Sequence, residues 1–368
     1  MRATIAIVIT TLTLGFAHDP VTAQTHVDDA SAPSLADPGQ IYVIENSQDV
    51  RNGLVRVNDM TGAGWTTLGT SGSGVEPFTY PNGIFVNAAG RIYVADWTNG
   101  RIVRMNDMSG AGWTTLGAPG SGVEQFINPS GIFVDRAGRI YVVDWGNERV
   151  VRVNDMSGGG WTTFGTEGTG VNQFFNPHGI FVDGAGRIYV ADSGNRRIVR
   201  VDDMTGAGWT AFGTEGEGVN QFSNPPGIFV DQAGRIYVAD SDTGRIVRVN
   251  DMTGAGWTTL GTAGTGVGKF EGPQAIFVDG AGRIYVADYG NNRVVQVNDM
   301  TGAGWTTLDT PGAPLGIFVS STTPAERRSP MQPTATHSFP SSDRRGGLAI
   351  TGSGGFPTGA SLRGPYFE

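Results

Sequence analysis

The aspartates of this chain recur at a regular spacing that could gather carboxylates for metal binding. One set ends a short apolar run and recurs every 48 residues: Asp96, Asp144, Asp192, Asp240 and Asp288. A second set follows a neighbouring run: Asp135, Asp183, Asp231 and Asp279. A ring of carboxylates suits a hard cation such as Ca²⁺. Residues present in every repeat more often brace turns, so we interpret both sets as structural and expect no bound metal or cofactor.

Arginines recur at the same spacing and are the expected partners of these aspartates. They are Arg101, Arg149, Arg197, Arg245 and Arg293. Because an Arg–Asp pair in every repeat serves the fold, it carries no information about a specific ligand. We therefore assign these arginines to the scaffold as well.

His178 is the only histidine in the repeat region, residues 39–320. A catalytic zinc site usually takes three protein ligands, most often histidines. In the other repeats the equivalent positions hold Asn82, Ser130, Pro226, Gln274 and Leu315. One histidine also gives no basis for assigning a Ser–His–Asp set. We assign no catalytic residue and no metal ligand.

Composition removes further classes of chemistry. The chain has no cysteine, which excludes disulfides, thiolate metal sites and a cysteine nucleophile. Its glycine-rich stretches, such as GTEGTGV at residues 165–171, lack the lysine of a phosphate-binding loop and precede no helical pattern. The net charge of −9 opposes nucleic-acid binding, which needs clustered Lys and Arg.

Short β-strands must position these residues. A period of 48 residues, seen also in the tryptophans, is typical of repeat arrays and propellers. In the copy that starts at Pro129, runs rich in β-branched and aromatic residues lie at 131–135, 139–144, 149–153 and 160–165. Asp, Asn and Gly between these runs favour hairpin turns. Each repeat is therefore predicted to form a four-stranded antiparallel sheet, as in a propeller blade.

The two ends of the repeat region predict a closed ring. The N-terminal part supplies only three strands, near Ile41–Ile44, Leu54–Val57 and Trp65–Leu68. The missing strand appears at the far end, in Leu315–Val319. Closure removes the exposed edges of an open array. We predict an all-β fold, a closed six-bladed β-propeller of four-stranded antiparallel blades over residues 39–320, in which the last strand completes the first blade.

The flanking segments differ in composition from the repeats. Residues 1–23 resemble a secretory signal peptide, with Arg2, an apolar run from Ile5 to about Phe16, and a cleavage-like sequence ending at Ala23. That run is shorter than the ~20 residues of a stable membrane span. We interpret residues 24–38 as a linker and the Pro-, Ser-, Thr- and Gly-rich residues 321–368 as a disordered tail. The protein is predicted to be secreted or periplasmic.

The repeat resembles the NHL-repeat family of β-propellers. The resemblance rests on the pattern PxGIxVDxxGxIYVADxxNxRIxxxxxxG followed by FGxxGxGxxQF, and it spans nearly all of residues 39–320. It implies a propeller fold. It implies less about function, because such propellers include protein-binding sensor domains, RNA-binding modules and a few lyases. Some of those lyases use several histidines around the channel, and this ring offers one.

Differences between the copies fall on one face of the predicted propeller. We call it the variable face: the long GTxGxGVxQFxxPxG loops and the short turns after each YVAD. The opposite, uniform face carries the DxAGR and NDMTGAG turns, which barely change. Residues at the start of each innermost strand should crowd the mouth of a central channel, beside two tryptophans expected to be exposed on adjacent blades. The predicted ligand-binding residues are Asn82, Trp97, Ser130, Trp145, His178, Gln274 and Tyr289.

These observations favour a binding protein over an enzyme. Aromatic variation on one face of a uniform scaffold suits an interaction surface. We predict an exported, non-enzymatic, monomeric propeller that recognises a protein, peptide or glycan. The alternative is a metal-assisted lyase or a lactone or ester hydrolase with its site in the central channel. RNA binding is opposed by the export signal and by the acidic balance.

Overall fold

Six four-stranded antiparallel sheets form the main body of the described part of the chain, and four two-stranded parallel sheets lie in the long loops between them. The computed structural model describes residues 39–46, 52–69 and 77–320. The predicted signal peptide, linker and tail, residues 1–23, 24–38 and 321–368, lie outside these ranges. Within them, no helix has the length and apolar character needed to cross a bilayer. The predicted six-bladed, all-β architecture is confirmed.

Each blade contributes one strand to each of four concentric layers. The inner strands are Pro81–Val86, Pro129–Val134, Pro177–Val182, Gly227–Val230, Pro273–Val278 and Ala313–Val319. The second strands are Ile41–Asn46, Ile92–Asp96, Ile140–Asp144, Ile188–Asp192, Ile236–Asp240 and Ile284–Asp288. The third strands are Gly53–Val57, Arg101–Met105, Arg149–Val153, Arg197–Val201, Arg245–Val249 and Arg293–Val297. The outer strands are Thr66–Leu68, Thr114–Leu116, Thr162–Phe164, Thr210–Phe212, Thr258–Leu260 and Thr306–Asp309.

The first blade is built from both ends of the repeat region. Its second strand, Ile41–Asn46, pairs with the inner strand Ala313–Val319, with Ile41 opposite Val319 and Val43 opposite Ile317. We number this sheet blade 1, and the sheets that begin at Pro81, Pro129, Pro177, Gly227 and Pro273 blades 2 to 6. Closure by the last strand is confirmed.

The hydrophobic core is divided into six clusters, each lying between neighbouring blades. In one of them, Tyr93 and Ile102 of blade 2 pack against Val142 and Val151 of blade 3. The cluster between blades 6 and 1 joins Tyr285 to Ile41 in the same way. Alternate side chains of a strand point to opposite sheet faces, so each blade buries both faces against its neighbours. A blade cannot bury its apolar faces alone, and stability therefore depends on the complete ring.

The inner strands approach one another closely. A Cβ atom added to Gly83 would lie 2.1 Å from the carbonyl oxygen of Ser130, and one added to Gly131 would lie 2.5 Å from that of His178. Only glycine permits this approach of one backbone to the next. The glycine of the PxGI motif is thus a packing requirement at Gly83 and Gly131, whereas blade 6 carries Ala275 at the equivalent position.

Six phenylalanines, one from each inner strand, surround the channel. They are Phe85, Phe133, Phe181, Phe229, Phe277 and Phe318. Neighbouring ring centroids lie 4.9–5.2 Å apart around the whole circle, with interplanar angles of 57–61°. These spacings fall in the favourable range for tilted aromatic pairs. The rings narrow the channel toward the uniform face, because each follows the start of its strand by several residues.

Candidate binding face and central channel

Buried aspartates hold the loops of the variable face. Asp144 is fully buried and accepts hydrogen bonds from the backbone N–H of Ile127 (2.8 Å), from the Asn147 amide (2.8 Å) and from Arg149 Nε (2.8 Å). Arg149 in turn donates to loop carbonyls, including that of Gln125 (3.0 Å). Burial raises the pKa of Asp144 above its ordinary value, against the lowering by these donors. The side chain therefore connects the long loop, the short turn and the third strand.

The same constellation recurs around the ring. The ion pairs Arg101–Asp96, Arg197–Asp192 and Arg293–Asp288 span 2.7–2.8 Å, and Arg245–Asp240 spans 3.0 Å. On the uniform face, Asp135 accepts from the N–H groups of Ala137 and Arg139 and pairs with Arg139 Nε at 2.6 Å. These bonds match the bracing roles predicted for the repeated aspartates and arginines.

An aromatic cluster covers part of the channel mouth. The rings of Trp97 and Trp145, on adjacent blades, lie 5.0 Å apart between centroids. Trp97 also lies 6.2 Å from the ring of His178, which belongs to blade 4. Trp97 therefore reaches from blade 2 past the start of blade 3. The tryptophans were predicted to be exposed, but both are half-buried, because the indoles pack against each other.

The residues at the start of the inner strands have different environments. Asn82, His178 and Gln274 line the channel together with Pro226 and Leu315. Ser130 was expected at the mouth with them. It is fully buried instead, and its hydroxyl donates to the carbonyl of His178 at 2.9 Å. Gln274 donates to the hydroxyl of Ser241 at 3.1 Å.

Tyr289, on the short turn of blade 6, contacts a residue that the sequence did not suggest. Its hydroxyl interacts with that of Tyr80, and burial together with Tyr289 raises the pKa of Tyr80. Tyr80 has φ of 59°, in the left-handed region where an aromatic residue is uncommon. In the next two copies this position is Asn128 or Asn176, also at positive φ. The presence of tyrosine at a position where the next two copies have asparagine was the sequence signal that could have identified Tyr80.

Glu148 is a second residue that sequence reasoning missed. It follows the short turn Trp145–Asn147 at φ of 53° and accepts a hydrogen bond from the Asn176 backbone N–H (2.7 Å). Burial, with smaller contributions from Glu167 and Asp192, raises its pKa to about 7. The variable face therefore holds a carboxyl group that titrates near neutral pH.

Replacement of Glu148 by Gln should flatten the dependence of stability on pH. A folded-state pKa near 7, above the ordinary 4.5, means that the folded chain holds a proton which the unfolded chain releases. The stabilisation is present below pH 4.5 and is lost as pH rises through 7. The variant should match the wild type in thermal midpoint near pH 4 and exceed it near pH 8, measured by circular dichroism. Glu215→Gln, at an exposed position, is the control and should leave the wild-type profile unchanged.

The long loops of the variable face carry exposed apolar side chains. Within the described ranges, the large hydrophobic residues that are exposed all lie on its long loops: Tyr80, Val123, Ile127, Val171, Phe175, Val219 and Val267. The four valines are 68–80% exposed and occupy equivalent positions at the loop tips. Each of four successive loops thus offers one exposed valine, and the loop tip at Val267 lies beside Met60 and Thr61 of a uniform-face turn.

The channel mouth and loops do not gather donors for a metal ion. Among the residues that the structure describes, no group of three or more His, Cys, Asp or Glu side chains is placed to hold one. The aspartates nearest the channel are occupied by arginine and backbone N–H partners.

Two family models match parts of the chain. Residues 87–152 match the model described as a 6-bladed beta-propeller, and residues 174–200 match the NHL repeat. Among curated proteins, none is similar enough in sequence to match.

Similar solved structures share the architecture at low sequence identity. One is a chain of a nidogen–laminin complex, with 18% identity and a TM-score of 0.57 over 76% of this chain and 97% of that one. A protein of unknown function from Bacteroides caccae has 15% identity and a TM-score of 0.55 over 76% and 98%. A catalytically inactive virginiamycin B lyase from Staphylococcus aureus with quinupristin has 16% identity and a TM-score of 0.50 over 76% and 86%. At these identities the likeness extends to the fold alone. The chain is a six-bladed β-propeller with NHL-type repeats, as its repeated motif predicted.

Proposed function

We propose that this protein is an exported, non-enzymatic propeller that binds a partner protein or peptide through its variable face. The observation that carries the proposal is the presence of exposed large apolar side chains on the long loops of that face. The half-buried Trp97–Trp145 pair at its centre adds the kind of aromatic anchor that dominates binding energy at many interfaces. Export is inferred from the sequence of residues 1–23.

The charges of the variable face favour a basic partner. Exposed carboxylates occupy the long loops, at Glu124, Glu167, Glu215, Glu217 and Glu271. Asp242 and Glu148 lie on the short turns, and the basic residues outside the internal ion pairs there are Arg196 and Lys269. On the uniform face, each Asp135-type residue is paired with an arginine, while exposed aspartates such as Asp155 and Asp203 lie on the NDMTGAG turns. Opposite charges steer association, so we expect a partner segment with Lys or Arg beside apolar side chains.

Two variants of the variable face test the proposal in different ways. Trp97→Ala with Trp145→Ala removes the central pair, and Ser at positions 123, 171, 219 and 267 replaces the exposed valines without disturbing packed residues. Each should weaken capture of a purified partner by at least about tenfold, since interface aromatics and their apolar surroundings carry most binding energy. Surface plasmon resonance at two salt concentrations measures both affinity and the electrostatic contribution.

The matched control lies on the uniform face. Arg136→Ala with Gln232→Ala changes exposed turn residues and should leave binding unchanged. Circular dichroism of all variants checks that the ring is intact. A partner whose affinity is reduced by the control pair but not by either variable-face variant would contradict the proposal.

A further inference from the structure

The central channel is a cavity lined mainly by apolar side chains. Its volume is about 300 Å³, and all six inner strands contribute to its wall. The phenylalanine ring described above lies at one end, and isoleucines such as Ile132 and Ile228 lie between that ring and the mouth. An apolar protein cavity of ~150 Å³ can hold benzene, so this volume suits a group of about two fused rings.

The wall carries no charged side chain. Its polar side chains are those of Asn82, His178 and Gln274, all near the mouth. Burial lowers the pKa of His178 to about 4, so the imidazole is neutral at physiological pH. A charged group in this channel would lose its hydration without gaining an ion pair, which is costly. The channel therefore discriminates against charged ligands.

The mouth is shaped for access from the variable face. Trp97 extends over it and contacts His178, while hydrogen-bonding groups are supplied by Gln274 of blade 6 and Ser241 of blade 5. A planar apolar group can thus stack near the indole of Trp97 while one of its polar atoms forms a hydrogen bond on the side of the mouth that holds Gln274. Pockets of this kind, mostly apolar with a few placed polar groups, are typical of small-molecule sites.

We propose that the channel binds an uncharged apolar ring system that enters beneath Trp97. The group can be a free small molecule or an apolar side chain of a bound protein. This inference goes beyond the proposed function, because it concerns the central channel and not the exposed valines at the tips of the long loops. If the channel binds no such ring system, the proposed binding of a partner through the variable face is unaffected.

Two fluorescent probes with one skeleton test the charge selectivity. 1-Naphthylamine is uncharged at neutral pH, and 5-amino-1-naphthalenesulfonate adds a sulfonate to the same two rings. We expect the neutral probe to bind one per chain, with at least about tenfold higher affinity than the anionic probe. Equal affinities, several probes per chain, or no binding of the neutral probe would overturn the proposal.

A channel-filling variant locates the probe. Pro226 lines the mouth at a position where the repeats already carry Asn, Ser, His, Gln and Leu, so the ring tolerates a change of size there. Pro226→Trp should abolish binding of the neutral probe, while Gln232→Trp, which adds the same bulk at an exposed turn of the uniform face, should not. Unchanged binding in a folded Pro226→Trp protein would place the probe elsewhere and overturn the proposal.

Competition on the wild-type protein distinguishes a free small molecule from an apolar side chain of a bound protein as the occupant of the channel. It does not depend on any variant folding. Indole and a terminally blocked Gly-Trp-Gly peptide are added to the complex with the neutral probe. Displacement by both identifies a partner side chain as an occupant the channel accepts. Displacement by indole alone identifies a free molecule. Displacement by neither would overturn the proposal, because the probe would then occupy a site that does not accept other apolar ring systems of two rings.

Discussion

Truncation of the chain after Thr310 is expected to abolish cooperative folding of the ring, whereas truncation after Ser320 is expected to preserve it. The shorter chain lacks Ala313–Val319, the inner strand of blade 1. It leaves the ladder groups of Ile41–Asn46 unpaired along one edge, exposes the clusters on both sides of blade 1, and removes Phe318 from the phenylalanine ring. An open edge of this kind also promotes aggregation.

Urea unfolding followed by tryptophan fluorescence distinguishes the two truncations. The chain that ends at Ser320 should show a single cooperative transition, and the chain that ends at Thr310 should aggregate or unfold without one. Adding the peptide of residues 311–320 in trans should partly restore the transition, because the strand pairs through its own backbone. A cooperative transition of wild-type midpoint in the shorter chain would show that ring closure contributes little to stability.

Substitution of Asp144 by Ala is expected to lower the free energy of unfolding by about 3–5 kcal/mol, the usual cost of removing one partner from a buried ion pair. The change leaves Arg149 Nε, the Asn147 amide and the Ile127 N–H without their shared acceptor. The long loop that carries Val123 should also loosen, because its N–H group at residue 127 is held by this carboxylate.

Chemical denaturation measures this loss, and hydrogen exchange at Ile127 reports the loosening of the loop. Asp144→Asn, which keeps acceptor capacity but not the charge, should fall between the wild type and the alanine variant. Asp155→Ala, at an exposed turn on the uniform face, is the control and should have a much smaller effect. Equal effects at the two positions would mean that the buried aspartate is no more important than a surface turn residue.

Much of the fold was predictable because its determinants recur. The repeat region begins with only three strands, the last ending at Leu68, and it ends with a single strand, Leu315–Val319. Its two ends therefore had to meet in one sheet. The roles of Asp144 and Arg149 were predictable for the same reason, since a residue repeated in every blade serves every blade. Their hydrogen bonds agree with that reasoning.

The candidate site was less predictable, because side-chain burial depends on neighbouring blades. Ser130 shares its position in the repeat with His178, yet its small hydroxyl turns into the wall while the imidazole lines the channel. Trp97 and Trp145 were expected to be exposed and are half-buried in mutual contact. Glu148 gave no sequence signal, because its raised pKa arises from burial in the folded ring.

The sequence by itself determined the number of blades, the closure of the ring and which residues belong to the scaffold. These properties follow from local strand and turn preferences repeated at one period. Only the tertiary structure decided that six equivalent phenylalanines meet around an uncharged channel and that the exposed apolar side chains lie on the long loops. Both features depend on distances between residues of different blades. The pattern of residues along a strand indicates to which face of its sheet each side chain points, but it does not specify how closely neighbouring sheets pack.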